Sequence, residues 1–129
     1  IMNNGETIGL DITDGTSRAL FIPGCAMMTD TLRARINGAD AVFFDGTLWT
    51  DDEMVRASLG SKTGHRMGHM SLADQPDGTF AAFAGLDVRH KILIHINNSN
   101  PVLLADSPER KQAEAAGWDV AFDGMKVRL

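Results

Sequence analysis

Cysteine is nearly absent: Cys25 stands alone in 129 residues. One thiol excludes a disulfide within the chain and a cysteine-built zinc cluster. It also fits a reducing compartment, and a cytoplasmic location is the expectation. Cations are outnumbered, 12 Lys and Arg against 17 Asp and Glu, for a formal net charge of −5. Such a chain cannot displace counterions from phosphates in bulk, so no nucleic-acid partner is expected. No apolar run approaches the ~20 residues of a bilayer span, and no membrane partner is expected. No basic segment leads into an apolar one near the start, so no secretory signal is read. Also missing are a Gly-x-Ser-x-Gly elbow, a Gly-x-x-x-x-Gly-Lys phosphate loop and a Gly-x-Gly-x-x-Gly fingerprint after a strand. No repeat, low-complexity tract or linker divides residues 1–129, which read as a single domain or half-domain. The opening Ile1-Met2 is no ordinary translation start, and an internal or C-terminal piece of a longer protein is expected.

What is present is a set of short apolar runs closed by turn chemistry. Residues 7–13 alternate apolar and polar side chains, the period of a half-buried strand. Asp14-Gly15 and a second strand over 18–22 predict a hairpin. Gly24-Cys25-Ala26 then makes a tight loop. Thr29 or Asp30 caps a helix with Leu32 and Ile36 on one face, and Asn37-Gly38 stops it. Residues 41–44 are a continuous apolar strand ending on Asp45, with Gly46-Thr47 after it. Thr50 and Glu53 fit a capping box. Residues 60–71 have no usable period and read as a loop, and 79–86 as a short alanine-rich helix. Residues 91–94 form a second buried strand, covered on both faces, that runs into His95 and then Asn97-Asn98-Ser99-Asn100-Pro101. Ser107 and Pro108 start a last helix that Gly117 ends. Residues 118–122 and 125–129 predict a closing hairpin around Asp123-Gly124. Strands and helices alternating between short antiparallel pairs point to a layered α/β sandwich, or half of one.

Two apolar strands thus deliver Asp45 and His95 at their C-terminal ends, where ligand crevices form in α/β sheets. His69, in the loop between, is a third member by sequence. One carboxylate with one or two imidazoles is a ligand set for zinc, manganese or non-haem iron. Bland readings stand beside it: His95 as a core histidine bonded to backbone, Asp45 as an acceptor for the next turn's amides. His90 and His65 read as exposed surface, and Met27, Met28, Met67 and Met70 as gap-filling core. Cys25 has no basic neighbour to activate it.

The segments Phe43-Phe44-Asp45-Gly46-Thr47-Leu48-Trp49-Thr50-Asp51-Asp52-Glu53-Met54, Lys62-Thr63-Gly64-His65-Arg66-Met67-Gly68-His69-Met70, Ile94-His95-Ile96-Asn97-Asn98-Ser99-Asn100-Pro101, Asp106-Ser107-Pro108-Glu109-Arg110 and Ala121-Phe122-Asp123-Gly124-Met125 carry a resemblance. In that order they resemble the pyrroloquinoline quinone (PQQ) biosynthesis protein B family (PqqB) of the metallo-β-lactamase superfamily. The resemblance implies an α/β fold, here the C-terminal half of a metallo-β-lactamase-like αββα sandwich. It implies Asp45 and His95 as metal ligands and His69 as a catalytic histidine on the substrate side. Lys62 and Arg66 would meet substrate carboxylates, with Asn97, Asn98 and Asn100 shaping the substrate-binding loop beneath the metal. The implied function is PQQ biosynthesis by iron- and oxygen-dependent hydroxylation of the tyrosine ring of a Glu-Tyr-derived precursor. Alternatives are a carrier of PQQ or its precursor towards the periplasm, and a metal-dependent hydrolase. The implied cofactor is iron (Fe2+) or zinc in the full-length protein. The family's N-terminal metal signature is missing, so the site is incomplete and the isolated chain is expected to be inactive. The expected partners are the precursor, the missing N-terminal half and, through exposed sheet edges, a homo-oligomeric copy.

Overall fold

The computed structural model describes residues 7–129. Its centre is a five-stranded sheet in simple sequence order. β1 (Leu10–Thr13) pairs antiparallel with β2 (Arg18–Ile22). Then β2, β3 (Ala41–Asp45), β4 (His90–Ile94) and β5 (Trp118–Val120) run parallel. The crossovers carry α1 (Asp30–Ile36), α2 (Glu53–Arg56), α3 (Gly64–Met67), α4 (Thr79–Ala82) and α5 (Pro108–Ala115), with a 3-10 turn over Pro101–Leu103.

One face of the sheet makes the core. Because side chains alternate across a strand, Leu20, Ile22, Val42, Phe44, Leu93, Trp118 and Val120 join one buried cluster with Ile36, Leu72, Phe83 and Ala113. Phe83 packs edge-on against both Phe44 and Trp118, with ring centroids 4.9 and 4.8 Å away. Such pairs add roughly 0.5–1.5 kcal/mol beyond area burial. At the centre of β4 both faces are covered, Ile92 and Leu93 being fully buried, as the apolar run predicts.

The opposite face is open towards β1. The half-buried alternation expected over residues 7–13 is corrected here: the strand is only four residues long and exposed throughout, with Ile12 at 56%. Among the described residues, no layer covers its apolar side chains. The α/β half-sandwich is otherwise as expected, and no helix among the described residues is long and apolar enough to cross a membrane.

Local chemistry explains most boundaries. Thr29 caps α1 by accepting from Leu32 N at 3.1 Å, and Ser107 caps α5 through Arg110 N at 3.0 Å. The Thr50–Glu53 capping box does not form. Glu53 Oε2 accepts from Trp49 N and the Thr50 hydroxyl from Arg56, leaving Asp52 at the N-cap without a side-chain bond. Residues 60–71 are not wholly irregular, since Thr63 caps α3 and Gly68, at φ +89°, ends it. The helix expected over 79–86 stops after one turn. No closing hairpin forms: β5 is spent on a parallel partner and residues 125–129 join no strand. His90 is corrected from exposed surface to the half-buried first residue of β4, and of the four methionines Met27 and Met67 are exposed rather than core.

Candidate metal centre

The register of β3 on β4 builds the site. Phe44 lies beside Leu93 and Asp45 beside Ile94, so Asp45 and His95 leave the sheet together at its C-terminal edge. Gly46 N then bonds Ile94 O at 2.8 Å, which holds the two departing chains in contact. A Cβ on Gly46 would meet Ile94 O, Ile96 Cγ1 and Leu93 Cβ, all at 3.1 Å; glycine is what lets the chains approach. His95 takes φ +53°, the left-handed region that a β4 continuation could not use. A non-glycine residue held there carries strain, a mark frequent at functional sites.

His69 arrives from α3. Its N–H bonds Gly64 O at 2.9 Å, and the next residue, Met70, donates to Cys25 O at 2.6 Å. The loop carrying His69 is thereby pinned to the loop after β2. Leu72 N to Leu48 O at 2.9 Å ties it also to the chain after Asp45.

Asp45 is fully buried, and its carboxylate takes four donors. Oδ1 accepts from Thr47 N at 3.1 Å and Thr47 Oγ1 at 2.6 Å. Oδ2 accepts from Cys25 N at 2.9 Å and His69 Nδ1 at 2.7 Å. Four donors match the capacity of an ionised carboxylate, which is how a buried charge is tolerated. His95 Nδ1 stands 4.0 Å from Oδ1, and the two imidazoles stack at 5.2 Å with 23° between their planes. One candidate ligand atom from each of Asp45, His69 and His95 lies within 4.8 Å of the others. The bland expectation for Asp45 holds, since it bonds the next turn's amide, and the same carboxylate also lies close to two imidazoles.

Shared hydrogen bonding with Asp45 raises the His69 pKa above the ordinary imidazole value; burial opposes this and the carboxylate's charge adds to it. Burial pushes the Cys25 thiol up to about 11, so this cysteine serves through its backbone N–H, with an inert side chain.

The donor set suits zinc or iron. A cation bound by Asp45 must replace one of its four donors. Cys25 N and Thr47 N are fixed backbone and the Thr47 hydroxyl also faces His95 Nδ1, which leaves the His69 ring as the group freest to turn away.

The remaining candidates sit elsewhere. Lys62 and Arg66 are exposed and do not line the cleft of about 730 Å³ that opens beside His69. That cleft is bounded by Met27, Arg33, Asp51, His65, Met70 and Asp74, among others. Asn98 is exposed. Asn97 donates through its N–H to Thr47 O at 3.1 Å and through its amide to Ser99 Oγ. Asn100 is 1% exposed, and its amide is consumed by backbone: Nδ2 donates to Gly46 O at 2.9 Å and Oδ1 accepts from Val102 N at 3.0 Å. It shapes the loop, and at 1% exposure with both amide atoms bonded to backbone it is not placed to touch a ligand. Residue patterns missed Thr47, although its place two residues after a strand-end aspartate was a visible signal.

Residues 1–96 match the β-lactamase superfamily domain family. Over 127 residues, 98% of this chain, the sequence is 69% identical to a coenzyme PQQ synthesis protein B from Gluconacetobacter diazotrophicus and 62% identical to one from Xanthomonas campestris pv. campestris. The chain spans 41% and 42% of those relatives' lengths. It also resembles the crystal structure of Zn2+-bound PqqB from Methylobacterium extorquens: 49% identity, TM-score 0.92, 95% of this chain and 44% of that one covered.

Proposed function

The chain belongs to the β-lactamase superfamily domain family, and from that premise we propose that it is part of a coenzyme PQQ synthesis protein whose reacting centre is metal-dependent. The observation that carries this reading is the convergence of Asp45, His69 and His95 at the C-terminal edge of a parallel sheet. The finer proposal is hydroxylation of the tyrosine ring in a Glu-Tyr-derived precursor. Asp45, His69 and His95 would hold iron or zinc, which when bound would supply Lewis acidity or a seat for dioxygen.

The chain's own residues have separable tasks. Asp45 keeps the charge that a cation needs, inside a frame of backbone N–H groups. Where His69 stays bonded through Nδ1 to that carboxylate rather than ligating the cation, it can hold or give up a proton beside the cleft. Exposed Lys62, just before α3, and Arg66, within it, remain candidates for substrate carboxylates reaching outside the cleft. The open apolar face at Leu10, Ile12 and Phe21 is the surface that further chain of a longer protein would cover.

Zinc in the resembling structure favours a second reading, a zinc hydrolase. A carrier is less well supported, since Asp30, Asp51, Asp74 and Asp77 line the cleft and would repel an anionic cofactor. The test is metal content and oxygen uptake of the full-length protein with a tyrosine-containing precursor. Hydroxylation requires oxygen consumed in step with product, and His95→Ala should remove metal and turnover together. Turnover that survives that substitution overturns the proposal; product formed without oxygen supports hydrolysis.

A further inference from the structure

We propose that Thr47 is a positioning residue that fixes which nitrogen His95 presents to a ligand. The inference rests on reading Asp45, His69 and His95 as a metal-ligand set.

Thr47 Oγ1 lies within hydrogen-bond distance of four groups: Asp45 Oδ1 at 2.6 Å, His95 Nδ1 at 2.9 Å, His95 O at 3.0 Å and His69 Nδ1 at 3.1 Å. A hydroxyl has one proton to donate and two lone pairs to accept with. The ionised carboxylate is the strongest acceptor of the four and the nearest, and bonds to it are the short, charge-assisted kind. The proton therefore goes to Asp45. That leaves Thr47 as an acceptor, and the closest nitrogen facing it is His95 Nδ1.

An Nδ1 that donates makes Nε2 the free lone pair. His69 is fixed in the same tautomer by a different partner, because its Nδ1 donates to Asp45 Oδ2 at 2.7 Å. Asp45 thus orients one imidazole directly and the other through Thr47. The side chain is well placed for this, being 8% exposed, with Asn97 N holding its carbonyl at 3.1 Å. Outer partners of this kind set ring orientation and ligand basicity, and their loss typically weakens metal binding by about 10–100-fold.

The test uses full-length protein labelled with 15N at histidine. Long-range nitrogen–proton correlation spectra, taken metal-free at a pH where the imidazoles are neutral, report each tautomer. In the wild type, His95 should be protonated at Nδ1. Thr47→Val keeps the volume but removes the hydroxyl, and should shift His95 to the Nε2-protonated form or a mixture. Thr47→Ser should restore the wild-type pattern. Zinc affinity, read by competition with a chromophoric chelator, should fall by about 10-fold or more in Thr47→Val and stay within about 3-fold in Thr47→Ser. Wild-type His95 protonated at Nε2 overturns the proposal, and that measurement needs no variant to fold. So does a Thr47→Val protein with wild-type spectrum and affinity. If the wild type shows the expected tautomer yet binds no zinc or iron, the ligand-set reading fails while the role of Thr47 in orienting His95 survives.

Discussion

Asn100→Ala should unfasten the two strand ends that make the site. In the native chain its Oδ1 caps the 3-10 turn through Val102 N, and its Nδ2 clamps Gly46 O, the carbonyl next to Asp45. Losing an N-cap costs about 1 kcal/mol. Leaving a buried carbonyl without a donor costs roughly 1–3 kcal/mol more, and Gly46 is buried. The sum is about 2–4 kcal/mol, measurable as a lower urea midpoint at unchanged slope. Asn100→Asp separates the two bonds, because aspartate caps as well as asparagine but cannot donate while ionised. At pH 7 its defect should equal or exceed that of Asn100→Ala, with one acceptor facing another at 1% exposure. A protonated carboxyl could donate to Gly46 O, so the folded-state pKa of the new acid is raised. The defect should therefore be smallest below about pH 4 and grow as pH rises past the unfolded carboxyl's value. A loss under about 1 kcal/mol for Asn100→Ala, or wild-type stability for Asn100→Asp at pH 7, would refute the clamp.

Cys25 should resist iodoacetamide in the folded protein at pH 8, since its thiol titrates near 11; labelling at the rate of a free thiol contradicts that burial. The unfolded thiol ionises first, so between pH 9 and 11 stability should fall by on the order of 2–3 kcal/mol, a loss that Cys25→Ala lacks. The folded His69 pKa is raised by Asp45, so the extra stabilisation from its charged form is fully present below the unfolded imidazole's pKa and lost as pH rises through the folded one, the neutral ring keeping its hydrogen bond. The stability gap between metal-free wild type and His69→Ala should accordingly be larger at pH 5.5 than at pH 8.5, and an equal gap would contradict the pairing. Gly46→Ala should lose about 1–3 kcal/mol by thermal unfolding, because Ile94 O at 3.1 Å is backbone and cannot give way cheaply; a neutral result would mean the strand ends are less closely joined.

The parallel pair at the centre was legible because it is written locally. Residues 41–44 and 92–94 are apolar runs with polar closures, and such runs have few alternatives to buried strands. Asp45 and His95 followed from their places at the ends of those runs. His69 did not follow from any period: it reaches Asp45 only because Gly68 turns the chain after α3 and Met70 is pinned to Cys25. The failed capping box shows the same limit. Thr50 and Glu53 have the required spacing, but Trp49 N and Ser99 Oγ compete for the glutamate from outside the local window. The closing hairpin failed for a related reason, since Trp118 and Val120 gain more by extending the parallel sheet over the core than by folding back on residues 125–129.

The exposure of β1 follows from the same reasoning, because its alternating pattern is correct for a strand with one buried face. Leu10 and Ile12 sit in register with Phe21 and Ala19, so their side chains continue the row that lies opposite the helices. That row is apolar, yet Leu10, Ile12 and Phe21 are all exposed. A chain that spends hydrophobic residues at period 2 on a face it leaves open carries a pattern meant for a covering layer. His95 keeps 55% of its side chain exposed although Leu93 and Asp45 are fully buried, because at φ +53° the chain has already left the sheet one residue past β4.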